Sequence, residues 1–228
     1  SFSSDGDATD VGDLANYANG FGAGRTGVGY GYSCGGSITD PINKYSFTSD
    51  GDATDTGNLT VTRDGAISNG ESSSTYGYIA GGYSTDVIDK FSFTSDGDAV
   101  DVGDLLVNRD NAAGFSSATE GYVTGGANAN VEKFSFSSDG DSADTGADIT
   151  SNGTHLNNLA SHSSTTHGYT SGGRAETGTD YIDKFAFDSA VNASDIGNIT
   201  VGRRSGGGNS STASGYTACG YTGSNFCG

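Results

Sequence analysis

The chain has 228 residues, a formal net charge of −18, 39 glycines, one proline, and neither tryptophan nor methionine. So acidic a chain is a poor partner for nucleic acid, and no apolar run approaches the roughly 18 residues that a membrane-crossing helix needs. Leu, Ile, Val and Phe number 6, 9, 11 and 11, which is 37 of 228 residues and would ordinarily read as disorder.

The apolar residues are nevertheless in register. The opening "SFSSDGDATDVGDL" returns as "YSFTSDGDATDTGNL" from Tyr45, "FSFTSDGDAVDVGDL" from Phe91, "FSFSSDGDSADTGAD" from Phe134 and "FAFDSAVNASDIGNI" from Phe185. Its second aromatic is Phe2, Phe47, Phe93, Phe136 and Phe187, at intervals of 45, 46, 43 and 51 residues, and the wrapped interval from Phe187 through Gly228 to Phe2 is 43. A fixed long period of this size marks a repeat architecture, and a period broken within a copy marks a closed ring. In the second copy "ISNGESSST" and "YGYIAGG" read as paired strands, "VIDKFSF" as a third and "TGNLTV" as a fourth, divided by Gly and Asp turn residues. Glycine at this density makes helix costly, at about 1 kcal/mol per residue. The expectation is an all-β, five-bladed β-propeller of four-stranded antiparallel blades. It forms one domain over residues 1–228, with the ring closed by pairing of the N- and C-terminal segments. "GYSCGG", "GYIAGG", "GYVTGG", "GYTSGG" and "GYTACGY" are expected as innermost strands, where only small side chains fit. Tyr45/Phe47, Phe91/Phe93, Phe134/Phe136 and Phe185/Phe187 are expected to pack between sheets.

The run "GYIAGG", a spacer, "VIDKFSF" and then "VGDLLVNR" resembles the kelch repeat, in which an aromatic-led strand ends in a double glycine and a fourth strand leads into an arginine. The likeness spans nearly the whole chain, but the tryptophan usual on that family's fourth strand is missing and "VGDL" stands in its place. The wording "IDKFSFTSDGDAVDVGDL" is also similar to kelch-like tandem repeats in proteins of marine bacteriophages and marine bacteria. That resemblance implies a bacteriophage virion (tail or surface) or cell-surface adhesion setting. A chain with no methionine is further expected to be a processed or excerpted piece of a longer one.

The acidic turn recurs as Asp5/Asp7/Asp10, Asp50/Asp52/Asp55, Asp96/Asp98/Asp101 and Asp139/Asp141/Asp144, and dwindles to Asp188 and Asp195 in the fifth copy. Carboxylates so spaced could gather oxygen ligands for Ca²⁺, with Asp50, Asp52, Asp55, Asp96, Asp98 and Asp101 as the candidates. The D-x-D-x-D-G order and distal Glu of the calcium loop are both missing, so the favoured reading has no metal and lets the carboxylates serve the turn. The other end of each copy carries its variable second turn and Arg63, Arg109 or Arg203 after the fourth strand. Those arginines, with Arg174, Tyr17, Tyr83, Tyr181 and Tyr221, are candidates for ligand binding, offering forked donors and planar rings suited to glycans. The plainer alternative pairs each arginine with a neighbouring carboxylate. His155, His162 and His167 read as surface polar residues. "GGG" at 206–208 reads as an inter-strand segment. Cys34, Cys219 and Cys227 are an odd set, in which Cys34–Cys219 or Cys219–Cys227 could staple the ring. The inner-strand positions offer Ser, Thr, Ala and Gly in place of paired carboxylates. The expected function is therefore non-catalytic: binding a glycan or a protein subunit of a larger assembly on a virion or extracellular surface, with no membrane insertion. The alternative is a propeller enzyme such as a sugar oxidase or lyase.

Overall fold

The computed structural model describes residues 9–15, 23–27, 29–36, 39–63, 71–126, 128–149, 157–174, 178–211 and 213–223. Among them the structure is all β, with no helix. The first sheet is β1 (Ala23–Gly27), β2 (Tyr30–Cys34), β3 (Thr39–Ser46) and β4 (Thr54–Arg63), hydrogen-bonded in that order. β5 (Glu71–Ser72), β6 (Tyr76–Gly82), β7 (Thr85–Ser92) and β8 (Val100–Asp104) form the second sheet. The third comprises β9 (Ala112–Ser116), β10 (Glu120–Gly125), β11 (Asn128–Ser135) and β12 (Ala143–Asp148). The fourth comprises β13 (Ala160–Ser163), β14 (His167–Ser171), β15 (Thr179–Ala186) and β16 (Ser194–Arg203), and β17 (Gly207–Ser210) with β18 (Gly215–Ala218) make a final hairpin. All pairings are antiparallel, so each sheet is a meander whose second turns lie at one common end.

Two expectations about strands are corrected. "TGNLTV" lies in β4 and pairs with β3, while the fourth strand of the "YGYIAGG" sheet is β8. The glycine-tyrosine strands are second in their sheets, and it is the first strands that converge, β9 packing on β5 and β13, and β13 on β17. A ladder of hydroxyls joins these first strands: the Ser72, Ser116 and Ser163 N–H groups donate to the side chains of Ser116, Ser163 and Ser210 at 2.9, 3.2 and 3.0 Å.

The core lies between consecutive sheets. Tyr32, Ile42, Leu59, Ile79 and Phe91 bury one boundary, Tyr78, Ile88, Leu105, Val123 and Phe134 the next, and Tyr122, Val131, Ile149, Phe185 and Phe187 the third. At each, the tyrosine of one sheet stacks on the second aromatic of the next: Tyr32 on Phe93 at 5.1 Å, Tyr78 on Phe136 at 4.8 Å, Tyr122 on Phe187 at 4.3 Å. The glycine before each tyrosine has a packing cause, since a Cβ added at Gly77, Gly121 or Gly168 would enter the ring of Phe91, Phe134 or Phe185 on the neighbouring third strand. Burial at a boundary removes apolar surface at about 25 cal/mol per Å², which is how few apolar residues suffice. At the two ends of the array the matching rings are exposed, Phe47 by 54% and Tyr216 by 51%, whereas Tyr32, Tyr78 and Tyr122 are at most 2% exposed.

The acidic turns are the polar half of the same boundaries. The first aspartate pairs with the lysine of the preceding sheet, Asp96 with Lys44 and Asp139 with Lys90, both at 2.8 Å, and holds Lys44 above its ordinary pKa. The second accepts from a backbone N–H of the preceding fourth-strand segment: Asp52 from Asp13, Asp98 from Asn58, Asp141 from Asp104, with Asn192 taking the same bond from Asp148. The third accepts from the N–H two residues on, as Asp55 does from Gly57 and Asp101 from Gly103. Where Ala190 replaces the first aspartate, Lys133 turns to Glu120 on its own sheet at 2.9 Å, and this bond with that from the Tyr122 hydroxyl outweighs burial and lowers the Glu120 pKa. Residues Val11–Leu14 sit against the first sheet as the fourth strands sit against theirs, with Val11 and Asp13 carbonyls accepting from Gly51 and Ala53 at 2.8 Å.

Candidate functional site

Arg63 ends β4 and Arg109 follows β8, and both are wholly buried, which corrects their reading as surface ligand-binding groups. Each reaches across to the next sheet. The Arg63 Nη1 donates to the Gly81 carbonyl and to that of Val87 at 3.1 Å, and Nη2 meets Asp89 at 2.7 Å. Arg109 repeats this with the Gly125 carbonyl at 2.6 Å, Asn130, and Glu132 at 3.0 Å from Nε and 2.6 Å from Nη2. A buried cation is tolerable only when paired and hydrogen-bonded in this way. The alternative that pairs each arginine with a carboxylate therefore holds for these two, and the copies carried a sign of it. The position four after Leu59 and Leu105 is Arg, and the next third strand has Asp89 or Glu132; four after Leu14 it is Ala18, and the third strand has Asn43. The fourth sheet departs from that rule, keeping a buried Asp183.

Arg203 ends β16 and is half-buried. Its Nη1 donates to the Cys219 carbonyl at 2.8 Å, and Cys219 stands in "GYTACG" where Gly81 and Gly125 stand in their strands. Its Nε bonds the Val201 carbonyl at 3.2 Å, and among the described residues no carboxylate pairs with it. Beside it, between the fourth sheet and the hairpin, opens a cavity of about 490 Å³ whose lining includes His162, Tyr169, Ser171, Ile196, Arg203 and Thr217. His162 is buried, contrary to its reading as a surface residue, because it ties the hairpin to the fourth sheet. Nδ1 lies 3.1 Å from the Asn209 carbonyl, so it carries the proton, and Nε2 lies 3.0 Å from the Ser171 and 3.2 Å from the Thr217 hydroxyl. Burial pushes its pKa below the usual histidine value, against the opposing pull of the Asn209 carbonyl.

The remaining candidates do not join this site as one cluster. Tyr83 is 65% exposed in the β6–β7 turn and Arg174 is exposed after β14. Tyr181 is half-buried on β15, and Tyr221 lies under the Arg204 guanidinium at 4.6 Å with its hydroxyl on the Gly223 carbonyl. Topology gives these second-turn residues one end of the array. Tyr17, Cys227, His155, Phe2, Asp5 and Asp7 lie outside the described residues. Cys34 is buried in β2, whereas Cys219 is exposed with φ 57°. His167 bonds Thr166 at 2.8 Å, and no group of three or more metal-binding side chains forms among the described residues. Gly207 and Gly208 begin β17 itself, correcting the inter-strand reading of "GGG".

No family model matches the sequence, and no curated protein matches it either. The fold does have a likeness among solved structures: the structure of YjhT aligns with a TM-score of 0.73 over 90% of this chain and 72% of that one, at 16% identity. At that identity the likeness is one of fold, a β-propeller-like arrangement of small antiparallel sheets.

Proposed function

We propose that the chain is a non-catalytic recognition module built on a kelch-like, five-bladed propeller. In this reading the N-terminal Val11–Leu14 segment and the C-terminal hairpin β17–β18 belong to one blade and close the ring. Its end of second turns engages a glycan or a protein neighbour in a virion or extracellular surface assembly. The observation that carries the reading is a division of labour. The polar groups that recur are engaged in joining one sheet to the next, as in Lys44–Asp96, Arg63–Asp89 and Arg109–Glu132. The groups that differ from copy to copy, Tyr83 and Arg174, stand at the second-turn end. Variable loops on a rigid frame are where binding concentrates.

Array binding of the purified chain to glycans at high salt tests this, beside Tyr83→Ala and Arg174→Ala variants whose melting temperatures are checked. Specific binding lost in either variant without loss of stability is the expected result. Binding indifferent to both substitutions would overturn the assignment to this end of the array.

A further inference from the structure

Two backbone bonds frame one piece of the second-turn end. The Gly82 N–H donates to the Arg109 carbonyl at 2.9 Å and the Leu105 N–H to the Asp86 carbonyl at 2.8 Å, so the β6–β7 turn at residues 83–85 lies beside residues 106–108. Between the two bonds stand Tyr83, Leu106 and Val107, exposed by 65%, 52% and 41%. Asp86, at the second bond, and Asp104, paired in register with Val87, border this patch, and among the described residues neither forms an ion pair.

Leu106 is out of keeping with its counterparts. The residue after the buried Leu or Ile of the fourth-strand segment is Thr60, Thr150 or Thr200 in three copies and Ala15 in the segment that opens the chain. Thr60 has a structural role, its hydroxyl donating to the buried Asp89 carboxylate at 2.6 Å. At Leu106 that bond comes from elsewhere. Ser142 stands where the second sheet has Ala99, and its hydroxyl donates to Glu132 at 2.6 Å, while the Leu106 N–H bonds Glu132 at 2.8 Å as the Thr60 N–H bonds Asp89. The carboxylate is thus satisfied without side chain 106, and the leucine freed of that role is left in solvent. A leucine in water gains nothing for the fold, and exposed apolar patches rimmed by polar groups mark interaction sites.

We propose that this patch docks a segment of a partner protein in which aliphatic side chains lie between lysines or arginines. Leu106 and Val107 offer apolar contact and no hydrogen-bonding side chain, which suits such a segment and not the hydroxyls of a glycan. Asp86 and Asp104 receive its cations. A second copy of the chain would instead bring these carboxylates against another chain of net charge −18. The proposal deepens the reading of the second-turn end as the recognition end, and rests on it.

The test uses two fluorescein-labelled peptides of equal charge, KLKLKL and KSKSKS, titrated with the whole chain and followed by anisotropy. The leucine peptide is expected to bind about tenfold more tightly than the serine one, and Leu106→Thr to remove that preference. Threonine is what three copies carry at this position, so the variant is expected to fold, with an unchanged melting temperature as the check. Asp86→Asn combined with Asp104→Asn should weaken both peptides, less so at high salt. Equal affinity for the two peptides, a preference that survives Leu106→Thr, or indifference to the paired Asn substitutions overturns the proposal. So does a dimer of the unliganded chain that Leu106→Thr abolishes in sedimentation, which would give the patch to a second copy. Glycan binding through Arg174 is read separately, so failure of that reading and failure of this one are distinguishable.

Discussion

Arg109 illustrates how a residue that looks like a binding group can be a brace. Its guanidinium is wholly buried with Glu132, and removing one partner of such a pair leaves an uncompensated charge in a low-dielectric interior. Arg109→Ala should cost about 3–5 kcal/mol, read as a fall in the urea midpoint. Arg109→Met combined with Glu132→Leu should recover most of it, because both desolvated charges are gone. A single variant as stable as the parent would show that the pair carries no strain of burial. The glycine before each second-strand tyrosine is as constrained: Gly77→Ala drives a methyl into the Phe91 ring, and overpacking of this kind costs roughly 1–3 kcal/mol, measured by the same titration. The sequence made both positions conspicuous by repetition, yet it could not give their direction. A strand-end arginine faces solvent or the next sheet according to where that sheet sits, which is a tertiary fact. Only the change from Asp89 and Glu132 to Asn43 where Arg gives way to Ala18 betrayed the contact.

At the scale of the element, the hairpin β17–β18 is a two-stranded sheet among the described residues, held to the fourth sheet through His162, the Ser210 hydroxyl and the bonds of Arg203 and Arg204. The His162 pKa is depressed by burial, so the unfolded chain binds the proton more readily than the folded one. Its stabilising contribution is therefore complete above the ordinary histidine value of about 6.5 and is lost as pH falls below it. Hydrogen exchange from pH 7.5 down to 5 should show amide protection of Gly207–Ser210 and Gly215–Ala218 falling ahead of that of β6 and β10. In a His162→Gln variant the hairpin should lose that extra sensitivity to acid. Uniform loss of protection across all sheets would assign the effect to the carboxylates instead. Little of this element was readable beforehand. The four-strand period and the absence of helix follow from the Gly-Asp punctuation and the aromatic alternation, whereas "GGGNS" has no apolar alternation to mark a strand. A single histidine substituted once among the copies carries no periodic signal.

For the whole molecule, stability resides in boundaries more than in sheets, because each sheet buries its rings only against a neighbour. Three boundaries stack a tyrosine on a phenylalanine, and the two ends of the array present one ring each, Tyr216 and Phe47, both about half exposed. These two exposed rings stand at matching registers, so a closed ring would bring them together as one more boundary. Closure predicts energetic coupling between positions 169 residues apart in sequence. A double-mutant cycle of Tyr216→Ala and Phe47→Ala should give a coupling of about 0.5–1.5 kcal/mol, comparable with the same cycle on Tyr78 and Phe136. It should be measured at micromolar concentration, with sedimentation confirming a monomer, so that contact between copies is not counted as closure. The cycle is best run at two salt concentrations. With net charge −18 the folded array repels itself, and added salt should raise the melting temperature while leaving an apolar stack unchanged. Coupling that is absent for Tyr216 and Phe47 yet present for Tyr78 and Phe136 would mean an open array, whose end faces meet something other than each other.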